Sequence, residues 1–304
     1  MTNQNTTTAA KALTASGLCK HYGKQEVLKK LDVKIEPGLI YGLIGRNGAG
    51  KTTLLSILTG QNTKDGGEVR YGGAPVWENA AALGELCFAR ELSPASEIAQ
   101  LSVKDYLRAA ALFCPHWDEA YATRLLDGFA IERKKKISKL SKGQMSMVTI
   151  AVALASCAPV TLLDEPVAGL DVVMREKFYR LLLDDYAKTN RTFVISTHII
   201  EEAASVFERV LIMDEGKIVE DAPCEELVDA FRHLSGPAPA VDAAVAEHGL
   251  TVLQTQNLGG HKMVAVRGND ALFEELAAEP ALELSGMSLQ NVFVALCGHG
   301  DEEG

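Results

Sequence analysis

The 304-residue sequence contains no Cys-x-x-Cys pair; its six cysteines, at positions 19, 87, 114, 157, 224 and 297, are scattered. That scatter argues against a clustered zinc site or a disulfide framework and favours a reducing compartment. There is no excess of positive charge either: 30 Lys and Arg against 40 Asp and Glu leave −10. The protein as a whole is therefore not a nucleic-acid-binding surface, which leaves only a local basic patch open, and no nucleic-acid partner is expected. The start, MTNQNTTTAAKALTAS, is polar and carries no signal-peptide core. The last absence is an uninterrupted apolar run. Gly143 to Leu163 holds no charge, enough on paper to cross a bilayer, but Gln144, Ser146, Thr149, Ser156 and Thr161 interrupt it and Pro159 divides it. It reads as a buried helix over 141–157, a turn, and a buried strand over 160–164, with no membrane passage by this chain.

What is present is ordinary globular composition, 47% hydrophobic and 23% charged, at a length fitting two domains or one large domain with an appendage. Residues 1–10 read as a loose tail. Val27, Leu28, Leu31, Val33 and Ile35 suggest strand structure ending at Pro37-Gly38, and 39–44 (LIYGLI) is a short run of buried-strand type. A glycine-rich turn follows, then a helix closed by Gly60. Residues 102–157 are mostly helical in pattern, with Ser102 and Asp105 as a capping pair and Pro115 as a break. Strands at 160–164, 192–196 and 209–214 then alternate with helices at 172–188 and 198–207, and KIVE follows the turn at Glu215-Gly216. This alternation predicts an α/β fold with a mostly parallel sheet covered by helices. Ser235-Gly236-Pro237-Ala238-Pro239-Ala240 reads as a linker, 235–240. Beyond it, a strand pair around Gly259-Gly260, a helix near 269–278, a short strand and a helix at 288–297 form a small α/β appendage over 241–304.

The run Gly45-Arg46-Asn47-Gly48-Ala49-Gly50-Lys51-Thr52 matches G-x-x-x-x-G-K-[ST] in full, between a predicted strand and a predicted helix. The glycines let the backbone turn tightly and aim its N–H groups at phosphate oxygens, with the positive end of the helix behind them. Lys51 reaches the β- and γ-phosphates, and Thr52 supplies an oxygen to Mg²⁺. The strand Val160–Asp164 ends in two carboxylates. Asp164 is placed to hold Mg²⁺, directly or through water, and Glu165 to polarise a water for attack on the γ-phosphate. Ser141 and Gln144 have capping-box spacing, which by itself needs no ligand. Gly143 in that first turn costs helix stability, and close approach of an anion would account for it. His198 follows the strand TFVIS; a lone histidine there is commonly a surface residue, but the end of a parallel strand aims it towards the phosphate.

Together these segments resemble the ATP-binding subunit of ABC transporters over residues 12–230. The resemblance implies a P-loop NTPase cassette over 11–234, with a helical subdomain around 95–157. It makes Gly45–Thr52 the Walker A motif, with Thr53 also at the nucleotide, and Asp164 and Glu165 the Walker B motif. LSKGQ at 140–144 is the signature, Ala168-Gly169-Leu170-Asp171 the D-loop, His198 the switch histidine, and Tyr22 the aromatic residue stacked on adenine. In the family two subunits face head to tail, so Ser141, Lys142, Gly143, Gln144 and Asp171 act on nucleotide bound to the opposite subunit. Two positions depart from the pattern: Lys142 stands in the signature, and Glu91 falls where the family carries its Q-loop glutamine, giving the metal a carboxylate. The closing segment MSLQNVFVALCG (287–298) is similar to that of ABC-2-type exporter ATPases.

The implied function is the ATP-binding and ATP-hydrolysing subunit of a bacterial transporter, an exporter by subfamily. ATP and Mg²⁺ are its ligands, closing a dimer with a second copy or a paralogous subunit. A separate transmembrane permease would hold it at the cytoplasmic face of the membrane. The rival reading, a soluble ABC ATPase acting on ribosomes or DNA, implies two cassettes or long coiled coils, and neither is present. A GTPase or small-molecule kinase leaves LSKGQ unexplained, and there is no Asn-Lys-x-Asp motif.

Overall fold

The structure is a computed structural model that describes residues 11–298. The expected tail at 1–10 lies outside the described residues. In chain order the elements are β1 (Leu13–Tyr22), β2 (Gln25–Ile35), β3 (Ile40–Gly45), α1 (Lys51–Leu58), β4 (Gly66–Tyr71), β5 (Ala74–Pro75), α2 (Ala80–Leu83) and β6 (Leu86–Ala89). Then come α3 (Val103–Phe113), α4 (Glu119–Gly128), α5 (Lys142–Ala155), β7 (Val160–Asp164), α6 (Val172–Thr189), β8 (Thr192–Thr197) and α7 (Ile200–Ala203). The chain continues through β9 (Arg209–Asp214), β10 (Lys217–Pro223), α8 (Cys224–Asp229), β11 (Phe231–Pro237), α9 (Ala238–Glu247), β12 (Val252–Leu258), β13 (His261–Arg267), α10 (Asp270–Ala277), β14 (Glu283–Gly286) and α11 (Leu289–Cys297).

Among the described residues the chain divides into two compact units: one holds 11–198 with 211–220, and the other 199–210 with 221–298. The first unit is built on a six-stranded sheet in the order β10-β9-β3-β8-β7-β6. Its pairs β3–β8, β8–β7 and β7–β6 are parallel. Every residue of β3, β7 and β8 is buried, which is why these strands are continuous apolar runs rather than alternating ones. The parallel register sets Ile44 beside Thr197 and Asp164 beside Ser196, so three strands end at one level. A second, antiparallel sheet, β2-β1-β4-β5, shares a core with α1. The sequence suggests the β2 strand but neither β1 nor β4: β1 is bulged and its burial does not alternate cleanly, and β4 buries only Val69 and Tyr71.

Helices α3, α4 and α5 all fall within the expected helical region 95–157. Ser102 caps α3 by accepting the Asp105 N–H at 3.1 Å, and Pro115 falls in the gap before α4. In α5 nearly every residue from Met145 to Ala155 is buried. Burial inside protein, not lipid, accounts for its lack of charge, and among the described residues no helix is long and apolar enough to cross a membrane. A buried ion pair ties this layer to the sheet. Arg191, just before β8, donates to both Asp185 oxygens, at 3.0 and 2.5 Å, and to the Leu154 carbonyl of α5 at 2.8 Å.

In the second unit a four-stranded sheet, β12-β13-β11-β14, has its own apolar cluster, with Leu234, Val241, Val264, Phe273 and Leu276 at its centre. The segment expected to be a linker, 235–240, is instead the end of β11 and the start of α9. Ser235, Gly236 and Pro237 pair with Met263, Lys262 and His261. The punctuation that suggested a linker has local causes. Pro239 sits in the first turn of α9, where a missing N–H costs nothing. Gly236 admits the Ala281 carbonyl, which would lie 2.5 Å from a Cβ. The strand before it, from Phe231, therefore belongs to the same sheet as the expected 241–304 appendage.

Candidate functional site

The site assembles at the end of β3, β7 and β8. Between β3 and α1 the chain turns through Gly48 (φ 85°) and Gly50 (φ 107°), conformations that only glycine adopts without strain. Around Gly48 there is open space, whereas Gly45 is packed so closely that a Cβ would lie 2.4 Å from the Met213 carbonyl oxygen. The loop is thus clamped at its root and open at its tip. Arg46, Asn47 and Gly48 are exposed, Ala49 is buried, and Gly50 caps α1 through backbone alone. The N–H groups of the first turn of α1 have no side-chain cap, so they remain available to an anion.

Lys51 is buried, and its Nζ donates to the Gly45 carbonyl at 2.7 Å and lies 3.7 Å from Glu165 Oε1. Thr52 Oγ1 donates to Asp164 Oδ2 at 2.7 Å. Ser196 Oγ donates to Asp164 Oδ1 at 2.6 Å and accepts the Glu165 N–H at 3.0 Å. Glu165 itself has φ 48°, a left-handed conformation disfavoured for a residue with a Cβ. That turn swings its carboxylate off the strand direction, between two partners: Lys51 on one oxygen and His198 Nδ1 on the other, at 2.7 Å from Oε2. His198 is exposed, Glu165 about a quarter exposed and Asp164 buried. Six expected residues, Gly45, Lys51, Thr52, Asp164, Glu165 and His198, are thereby linked in one bonded set. The hard oxygen donors Thr52 and Asp164, held within 2.7 Å of one another, suit Mg²⁺. The residue that sequence reasoning missed is Ser196. Its only signal is a hydroxyl directly after the apolar Phe193-Val194-Ile195 run of β8, and its role follows from the parallel register.

The other expected positions stand elsewhere in the same unit. Ser141 and Gln144 do form the capping box: Gln144 N–H donates to Ser141 Oγ and Ser141 N–H to Gln144 Oε1, both at 3.2 Å. Gly143 has a neighbour within its own chain, because a Cβ there would lie 3.2 Å from the Gly169 carbonyl oxygen. Asp171 caps α6, accepting the Met174 N–H at 2.9 Å. Lys142 and Glu91 pair with each other, Nζ to Oε1 at 3.2 Å. Tyr22, half exposed at the end of β1, accepts from Asn62 Nδ2 at 2.6 Å, and Lys20 Nζ lies 5.4 Å from its ring centre. Thr53, beside Thr52 in α1, is half-buried, and its carbonyl accepts from Ser56 Oγ at 2.8 Å.

The ABC transporter family model matches residues 28–168. Bacitracin transport ATP-binding protein BcrA of Bacillus licheniformis is 27% identical over 304 aligned residues, 95% of this chain and 98% of that protein. Aliphatic sulfonates import ATP-binding protein SsuB of Ralstonia nicotianae is 32% identical, covering 75% of this chain and 77% of that one. This chain belongs to the ABC transporter family. It is an ATP-binding cassette, and like its homologues an ATPase. Nod factor export ATP-binding protein I of Paraburkholderia xenovorans is 33% identical over 67% of this chain and 68% of that protein. An ABC transporter ATP-binding protein of Streptomyces avermitilis is 35% identical, and the cassette spans only 42% of that longer protein. Among solved structures, the dimeric bacterial ABC transporter cassette MJ0796 superposes with a TM-score of 0.61 at 23% identity, over 70% of this chain and 98% of that one. An ATP-binding subunit of an ABC transporter gives 0.61 at 22% identity, over 87% and 99%. These structures share the α/β cassette fold.

Proposed function

We propose that this cassette powers an exporter. A pair of cassettes, two copies or one copy with a paralogue, closes on ATP and is docked on a separate membrane permease at the cytoplasmic face of the membrane. The observation that carries the hydrolytic reading is the contact of Glu165 with both Lys51 and His198 above a phosphate loop, next to the Thr52–Asp164 oxygen pair. In this reading the N–H groups from Gly48 to Thr53 cradle the phosphates, and Lys51 turns its ammonium from the Gly45 carbonyl to the β- and γ-oxygens. Thr52 and Asp164 hold Mg²⁺, which when bound neutralises developing phosphate charge. Glu165 takes the proton of the attacking water, His198 fixes the Glu165 carboxylate and contacts the γ-phosphate, and ADP and phosphate leave. Tyr22 stacks on adenine, and Ser141 to Gln144 with Asp171 face the nucleotide of the opposite subunit. Direction is supported by the export relative and by the resemblance of the closing segment 287–298 to that of ABC-2-type exporter ATPases; the sulfonate import relative matches about three quarters of the chain.

The test compares two variants. Glu165→Gln retains ATP binding while steady-state hydrolysis falls by about 10²-fold or more, the scale of a lost general base. Lys51→Ala instead loses about 10- to 150-fold in ATP affinity, the scale of hydrogen bonds to a charged group. Near-normal turnover by Glu165→Gln refutes the assignment. Transport of substrate out of the ATP side, in vesicles bearing the cassette and its permease, tests direction.

A further inference from the structure

The two positions where this chain departs from its family's pattern, one in the signature and one after β6, are bonded to each other. Lys142 Nζ lies 3.2 Å from Glu91 Oε1. Lys142 is the first residue of α5, following its cap Ser141. A cation in that turn faces the positive end of the helix and needs an opposite charge nearby. Glu91 supplies it. The stem of Lys142 is also fixed, since it runs across Gly169, where a Cβ would come within 2.8–3.0 Å of Lys142 Cδ, Cγ and Cε. Gly169 has φ 86°, and its carbonyl in turn lies against Gly143. One side chain therefore spans three segments: the start of α5, the turn at Ala168–Leu170 and the segment that follows β6.

From this we infer that Glu91 is a positioning residue for Lys142, not an extra ligand of the metal. The inference rests on the proposed ATP-driven closure, in which Lys142 meets the γ-phosphate of the opposite nucleotide. The carboxylate of Glu91 holds the ammonium at a set place on its own chain, so the cation arrives at the facing subunit already oriented. A glutamine at 91 keeps the shape but not the charge. With Lys142 in the signature, the carboxylate at 91 has a partner that the usual glutamine would leave bare. Thr52, Asp164 and Ser196 meanwhile satisfy one another without Glu91.

The experiment measures both ATP hydrolysis and ATP-dependent dimerisation, by sedimentation velocity, of the full chain with ATP and free Mg²⁺ varied independently. The proteins are wild type, Glu91→Gln, Lys142→Met, the double variant and Lys142→Arg. Both partners are about half exposed, so the variants fold and the coupling is modest, about two- to fivefold. The expected result is that Glu91→Gln and Lys142→Met each raise, by that factor, the ATP concentration for half-maximal rate and that for half-maximal dimerisation. The double variant is no worse than either single one, Lys142→Arg restores the wild-type value, and half-saturation by Mg²⁺ is unchanged in Glu91→Gln. A shift in Mg²⁺ half-saturation with Glu91→Gln, while Lys142→Met behaves as wild type, makes Glu91 a metal ligand and overturns the inference. So do additive single effects, effects of opposite sign, or no effect in any variant. Absence of hydrolysis in wild type itself is a different failure, that of the underlying ATPase reading.

Discussion

Ser196→Ala deletes one oxygen and separates the contribution of Ser196 from that of the residues named by motif. The Ser196 hydroxyl is fully buried and donates to the Asp164 carboxylate at 2.6 Å. It also accepts the Glu165 N–H, but that N–H has a second acceptor, the Ser196 carbonyl at 3.2 Å, which the substitution leaves in place. The loss is therefore dominated by one hydrogen bond to a buried charged group, about 1.5–3 kcal/mol. Asp164 Oδ2 keeps Thr52, while Oδ1 is left without its hydroxyl. Both tryptophans, Trp77 and Trp117, lie in the first unit, so intrinsic fluorescence during urea unfolding reports on the unit that holds the site. A slope of about 2 kcal/mol per molar converts the loss to a midpoint lowered by about 1 M. Thr52→Ala, which removes the other partner of Asp164 at an exposed position, should cost less than Ser196→Ala. A midpoint within about 0.2 M of wild type for Ser196→Ala would refute the reasoning, since it would mean that Asp164 needs no donor on that side.

Three further outcomes are expected. Gly45→Ala drives a Cβ to 2.4 Å from the Met213 carbonyl; it should destabilise the fold by about 1–3 kcal/mol and abolish ATP binding, measured by unfolding and by nucleotide titration. Arg191→Met leaves the buried Asp185 carboxylate without its guanidinium, facing the Tyr121 and Thr189 hydroxyls, at a cost of about 3–5 kcal/mol. The double variant Arg191→Met, Asp185→Leu should recover much of that loss, because no unpaired charge remains. Burial pushes the half-buried Tyr106 hydroxyl from 10.0 up to about 12. In the unfolded chain it ionises first, so stability is lost as pH rises through 10 towards about 12. Tyr106→Phe should flatten that alkaline loss in urea midpoints measured across the range.

Much of the site was legible from spacing alone. A phosphate loop depends on glycines, a lysine and a hydroxyl at fixed offsets within eight residues, Gly45 to Thr52. Local backbone geometry makes that pattern work whatever surrounds it. Asp164 and Glu165 were legible for a similar reason: a buried run ending in carboxylates places them at a strand's edge. The capping box at Ser141 and Gln144 and the breaks at Pro115 and Gly60 are likewise local. What tertiary structure alone decided is every partnership across the sheet. Ser196 meets Asp164 because parallel β7 and β8 pair in one register, and a shift of one residue would turn that hydroxyl to the other face. The strand β11 was hidden because Gly236 and Pro237 look like a linker in sequence, yet their pairing with Lys262 and His261 decides their conformation. Lys142 and Glu91 lie 51 positions apart in the sequence. No periodicity or spacing relates them, and only the packing of α5 against the turn at Gly169 and the segment after β6 brings their opposite charges into contact.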